Sequence, residues 1–110
     1  MAGPGVSACP WYITAHAVRR WLEITRRPAG EAHFEDARIE LVALAADTWA
    51  RYEQAHREPR ITRTGAYQYR SAYTQIGRSR TKVDLIVSME VRPEGPKPQL
   101  VDVHWGGERR

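Results

Sequence analysis

The chain has 110 residues, 42% of them hydrophobic and 27% charged, with 17 basic and 13 acidic side chains and a net charge of +4. That length fits one domain with a core of modest size, and the charged fraction is that of a globular chain rather than a disordered one. No apolar run approaches the ~20 residues of a membrane span, the N-terminal MAGPGVSACPWY lacks the basic start and apolar stretch of a signal peptide, and the single cysteine, Cys9, excludes an intrachain disulfide and fits a reducing cytoplasm.

In chain order, residues 1–11 read as a flexible Pro- and Gly-containing leader, in which Cys9 has no stable scaffold to act from as a nucleophile. Helix 1 starts at Thr14, whose hydroxyl can cap the first turn, with Ile13 and Val18 spaced as a hydrophobic staple. Val18, Trp21, Leu22 and Thr25 form an i, i+3, i+4, i+7 stripe for the core, and Pro28 and Gly30 end the helix. Helix 2 spans about Glu35 to Arg57. Ile39, Val42, Ala46, Trp49 and Tyr52 trace its expected core face, widened by Leu41, Leu44, Ala45 and Thr48. Glu35, Asp36 and Glu40 suit the positive end of its dipole, Arg51 and Arg57 the negative end, and Pro59 stops it.

Beyond Pro59 the period becomes two. Arg60 to Thr64 is a candidate short first strand. Tyr67, Tyr69, Ser71 and Tyr73 alternate with Gln68, Arg70 and Ala72 in a strand with one aromatic and one polar face. Gly77 to Arg80 reads as a turn, Val83 to Arg92 as a second strand, Pro93 to Pro98 as a loop, and Val101, Val103 and Trp105 as the apolar side of a third strand. Pairing Val91 with Val101 puts the apolar residues on one face, Ser88 opposite His104, and Glu90 opposite Asp102. That last pair is like-charged, so a register shifted by two is the alternative. Residues 106–110 read as a frayed tail. The expectation is one α+β domain over residues 12–105, two N-terminal helices packed on three or four antiparallel strands.

The excess charge lies in one segment. Six Arg stand against seven acidic residues from Met1 to His56, seven basic residues against Glu58 alone from Arg57 to Lys82 (net +6), and four basic against five acidic residues from Val83 to Arg110. Arg57, Arg60, Arg63, Arg70, Arg78, Arg80 and Lys82 are interleaved with Tyr67, Tyr69 and Tyr73. Guanidinium groups beside aromatic rings suit single-stranded nucleic acid, charge on the backbone and rings under the bases. The competing reading is a solvated sheet edge protected by its charge, with the tyrosines in the core. The four histidines, at 16, 33, 56 and 104, have no close pairing and one cysteine cannot build a thiolate site, so no metal and no cofactor is expected. Gly-rich phosphate loops, serine elbows and paired-carboxylate motifs are absent from the sequence.

The stretch Ile13-Thr14-Ala15-His16-Ala17-Val18-Arg19-Arg20-Trp21 has an aliphatic residue, a cap, then His-Ala-x-x-Arg opening a helix. It resembles a family of small phage and plasmid proteins related to RelE-like and BrnT-like toxins, with a microbial-ribonuclease type of fold, and the order of elements follows it over most of residues 12–105. The resemblance implies an mRNA or tRNA nuclease. It singles out His16 with Arg19 or Arg20 at the start of helix 1, and Arg63, Arg70, Arg80, Lys82, Tyr69 and His104 in the sheet, where the family's basic C-terminal strand end is replaced by Val103-His104-Trp105. On this reading His104, Arg70, Lys82 and His16 are the catalytic candidates, His104 because an imidazole exchanges protons near neutral pH and the cations because they offset charge on phosphate. Arg20, Arg60, Arg63, Arg70, Arg78, Arg80, Lys82 and Tyr69 are the RNA-binding candidates, and an antitoxin is the implied protein partner. His16 has a plainer alternative, a local hydrogen bond that orients the helix. The second functional reading is a non-catalytic phage- or plasmid-encoded inhibitor of a host nucleic-acid-processing protein, which an exposed patch of Trp11, Trp21 or Trp105 would favour. A DNA-reading helix-turn-helix fits less well, because helix 2 is too long.

Overall fold

The structure is a computed structural model that describes residues 9–26, 30–76 and 82–108, with side chains described for all of these except 74–76, 82–85 and 106–108. The elements are β1 (Tyr12–Ile13), α1 (Ala15–Ile24), α2 (Glu31–Gln54), β2 (Arg60–Ile61), β3 (Tyr67–Ile76), β4 (Lys82–Arg92) and β5 (Gln99–Glu108). The fold is α+β, but the sheet has five strands in the order β1-β5-β4-β3-β2 and is mixed, which corrects the expected three or four antiparallel strands. The added strand is β1, which pairs parallel with the start of β5 through Tyr12 opposite Gln99 and Ile13 opposite Leu100. Two residues are too short to show a period of two, so the pairing had no sequence signal.

Thr14 caps α1 by accepting from the Ala17 amide at 3.2 Å, an arrangement worth about 1 kcal/mol. Its own hydroxyl donates to the Leu100 carbonyl at 2.9 Å, and its amide does so at 3.1 Å. The helix start is therefore fixed to the sheet. Ala17, Val18, Trp21, Leu22 and Thr25 are all buried, as the stripe requires. Trp11 is buried with them and Cys9 packs against the same core, so residues 9 and 11 belong to the domain and not to a leader.

α2 begins four residues before the expected start and buries Ala37, Leu41, Ala45, Thr48 and Tyr52, all but Ala37 among the expected core residues, whereas Ile39 and Val42 at the head of the expected stripe face solvent. Ile39 is 57% and Val42 40% exposed. The pattern of large residues misled because Trp21 of α1 fills the volume between the layers, and small side chains on α2 let the helices approach. Trp21 donates to Glu40 at 3.3 Å and meets Tyr73 edge-on at 4.9 Å.

Both helices cover one face of the sheet, where Val87, Met89, Val91, Leu100 and Val103 are sealed from solvent. The β4–β5 register keeps Ser88 opposite His104 and Glu90 opposite Asp102, like-charged though that pair is, but Leu100 rather than Val101 faces Val91. Val101 is left over as a bulge, which lets Leu100 and Val103 both point to the core despite their odd spacing. Trp105 is opposite Val87 yet 53% exposed. β5 pairs onward to Glu108, so residues 106–108 are strand rather than tail, because β4 supplies Leu85 and Ile86 as backbone partners. The expected turn at 77–80 and the Pro28 helix stop lie outside the described residues.

Candidate functional site

Alternate residues of β3, β4 and β5 point away from the helices and form an open face. Across it the register aligns Arg70, Ser88 and His104 in one row and Gln68, Glu90 and Asp102 in the next. Neighbouring strands lie about 4.8 Å apart, so Arg70 and His104 stand about 10 Å apart across Ser88.

At the β5 end of these rows Asp102 is a hub. β1 pairs only with Gln99 and Leu100, so among the described residues β5 has no strand on its outer side at Asp102, and the bulge at Val101 re-aims the strand there. The anchored first turns of α1 run along this edge, and His16 and Arg20, four residues apart, share the helix face that meets it. Arg20 Nε donates to Asp102 Oδ1 at 3.3 Å, and its Nη1 donates to Glu23 at 2.9 Å. The Val103 amide fixes the same Oδ1 at 2.8 Å. His16 Nε2 is 3.7 Å from Oδ1, and His104 Nε2 is 3.4 Å from Oδ2. Those two distances exceed a formed hydrogen bond, so each imidazole faces the carboxylate without being locked to it. Asp102 is only 21% exposed, which strengthens each of these interactions over its value in bulk water.

Of the two arginines that fit His-Ala-x-x-Arg, it is Arg20 that reaches the hub, and Arg19 is exposed. The histidines lacked close spacing in sequence, and the fold places two of them on one carboxylate. Glu90, Asp102 and His104 also present ligand atoms within 4.8 Å of one another, a set able to hold a divalent cation. Arg20 already gives Asp102 a cation of its own. Asp102 and Glu90 were not among the sequence candidates. The signal that could have found them was Asp-x-His on one face of a strand, paired with a helix opening His-Ala-x-x-Arg.

The remaining candidates separate. Tyr69 points to the covered face, 4.5 Å from the Trp11 ring and 4.8 Å from the Tyr52 ring, so it is no platform for a base on the open face. Burial pushes its hydroxyl above the usual tyrosine range, with the Glu53 charge adding to the shift. Lys82 pairs with Ile76 at the far end of β4. It is six residues from Ser88, about 20 Å at strand rise, so it does not join the Arg70–His104 row. Arg63 is exposed in the turn closed by Thr62 and Ala66. Arg78 and Arg80 lie outside the described residues. Burial raises the Cys9 thiol above its ordinary value, more than a backbone hydrogen bond with Trp11 lowers it, which disfavours the reactive thiolate.

Arg60 and Arg70 meet Arg57, which the site candidates omitted, beside the C-terminal end of α2. β2 pairs only with Tyr67 and Gln68, so among the described residues no strand covers the edge of β3 from Tyr69 onward. Tyr52 occupies that edge and accepts the Arg70 amide at 2.8 Å. A cleft of about 410 Å³ opens between α2 and this edge, and a second of about 230 Å³ continues it past Arg57, Arg60 and Arg70. Among the described residues no helix is long and apolar enough to cross a membrane. No family model, curated protein or solved structure matches the chain.

Proposed function

We propose that this protein binds single-stranded RNA across the open face of its sheet and cleaves it as a toxin-type, metal-independent endoribonuclease of the cytoplasm. The observation that carries this reading is the hub. Asp102 gathers two imidazoles and Arg20 at one edge of the face, and Arg70 stands on the same cross-strand row as His104. Two imidazoles, one to accept and one to donate a proton, flanked by guanidiniums, are a set that can carry out internal transesterification of RNA. One imidazole takes the proton of a ribose 2′-hydroxyl, whose oxygen attacks the adjacent phosphorus. The other gives a proton to the departing 5′-oxygen. Arg20 and Arg70 offset the charge that builds on the phosphoryl oxygens. The products are a 2′,3′-cyclic phosphate and a free 5′-hydroxyl, and DNA, lacking the nucleophile, is spared.

The test is purified protein with single-stranded RNA and DNA oligonucleotides in EDTA. RNA fragments ending in cyclic phosphate are expected, DNA stays whole, and His104→Ala or His16→Ala slows cleavage by about 100-fold or more. Cleavage left unchanged by both His104→Ala and Arg70→Ala overturns the residue assignment. The second reading, a non-catalytic inhibitor that docks on a host nucleic-acid-processing protein, draws on Ile39, Val42 and Trp105, large apolar side chains left exposed. It predicts no turnover and a protein complex that survives high salt better than phosphate contacts do. An antitoxin covering the same residues is the partner expected under the first reading.

A further inference from the structure

The hub leaves unexplained the cleft at the opposite edge of the sheet. Its floor holds Ser71, 8% exposed, whose hydroxyl oxygen is buried and has no hydrogen-bond partner. A buried hydroxyl without a partner costs free energy, and most buried polar groups in folded proteins have one. Tyr52 beside it accepts from the Arg70 amide, which leaves its own proton to donate. Arg57 and Arg70 line the same cleft, and neither forms an ion pair among the described residues. The side chains that converge here therefore offer donors and positive charge. Ala55, Ala72 and Ile86 supply an apolar wall beneath them.

Arg57 is also preset. The chain leaves α2 through His56, at φ 50°, with the Arg57 amide bonded to the Tyr52 carbonyl at 2.9 Å and the His56 amide to the Glu53 carbonyl at 3.2 Å. This closure folds Arg57 back so that its guanidinium lies 4.8 Å from the centre of the Tyr52 ring. The Tyr52 ring thereby holds the guanidinium at the mouth of the cleft. Arg57 is otherwise exposed, and a guanidinium stacks readily on a nucleobase.

From this we infer that the cleft between α2 and the β3 edge is a pocket for one nucleotide, its phosphate held by Arg57 and the Ser71 hydroxyl and its base lodged against the apolar wall beside the Arg57 guanidinium. The volume of about 410 Å³ is within the range of small-ligand sites. Choosing a nucleotide over another flat phosphate ester rests on the RNA reading above. The pocket would hold a residue of the same strand about two β-strand spacings from the hub, fixing which phosphate reaches Asp102.

The test is NMR titration of the full chain with each nucleoside 5′-monophosphate and, separately, with inorganic phosphate. The expected result is shifts centred on Tyr52, Ser71 and Ala72, at least about tenfold weaker binding in the exposed-site variant Arg57→Ala, and about threefold weaker binding in Ser71→Ala. Shifts centred elsewhere, affinity unchanged in Arg57→Ala, or inorganic phosphate binding as tightly as the nucleotides overturns the pocket. Nucleotide binding here in a protein that cleaves no RNA upholds the pocket and removes the nuclease reading. RNA cleavage without these shifts removes the pocket alone.

Discussion

The two faces of strand β4 differ in what they are for. Val87, Met89 and Val91 are sealed under the helices, with exposures of 0, 0 and 1%, whereas Ser88, itself only 7% exposed between its cross-strand neighbours, and the half-buried Glu90 lie on the other side beside Arg70, His104 and Asp102. One strand thus serves stability and chemistry at alternate residues, so changes on either face should have separable effects.

The sharpest way to break that separation is on the covered side. Trp21→Ala empties the largest buried volume and removes the Glu40 hydrogen bond, so it should cost about 3–5 kcal/mol in denaturant unfolding, whereas Glu90→Gln on the open side should stay within about 0.5 kcal/mol. A Glu90→Gln loss comparable to that of Trp21→Ala would show that the open face is structural. Tyr52→Phe tests the seam between the faces. It strips the acceptor from the Arg70 amide at a strand edge and should cost about 1 kcal/mol. A smaller, opposite effect is expected at His56, which holds a positive φ that glycine adopts freely. His56→Gly should stabilise the fold by up to about 1 kcal/mol.

The smallest effect is one of pH. Tyr69 is raised on folding mainly by burial, so the folded state holds its proton more tightly than the unfolded chain. Its contribution is complete below the ordinary tyrosine pKa of about 10 and is lost as pH rises through the higher folded value. Tyr69→Phe should therefore flatten the alkaline limb of the stability curve, measured by unfolding at successive pH values. An unchanged limb would place the Tyr69 hydroxyl in water.

The Thr14 cap, the α1 stripe and the alternation of β3 and β4 were legible because each depends on neighbours within a turn or along one strand. α2 was legible as a helix but only partly in its rotation: Leu41, Ala45, Thr48 and Tyr52 are buried as expected, while Ile39 and Val42 are not, since the exact side that faces inward depends on Trp21, nineteen residues before Glu40 in the chain. The site divided in the same way. His16, Arg20, Arg70 and His104 could be singled out by residue type and motif. Asp102 could not, because its importance comes from a bulge at Val101 and a helix anchored 86 residues away through Thr14 and Leu100. Tyr69 was misassigned for the complementary reason, since alternation separates two faces without saying which one the helices cover.

The amino-acid sequence by itself determined the element types, a basic middle segment, and a helix opening on His16, all consequences of local period and composition. Only the tertiary structure decided the mixed five-stranded order, the open side of the sheet, and the meeting of His16, Arg20 and His104 on one carboxylate. Those depend on strand pairing and layer packing between residues far apart in the chain, where the free energy of a contact is shared among partners that no local pattern names.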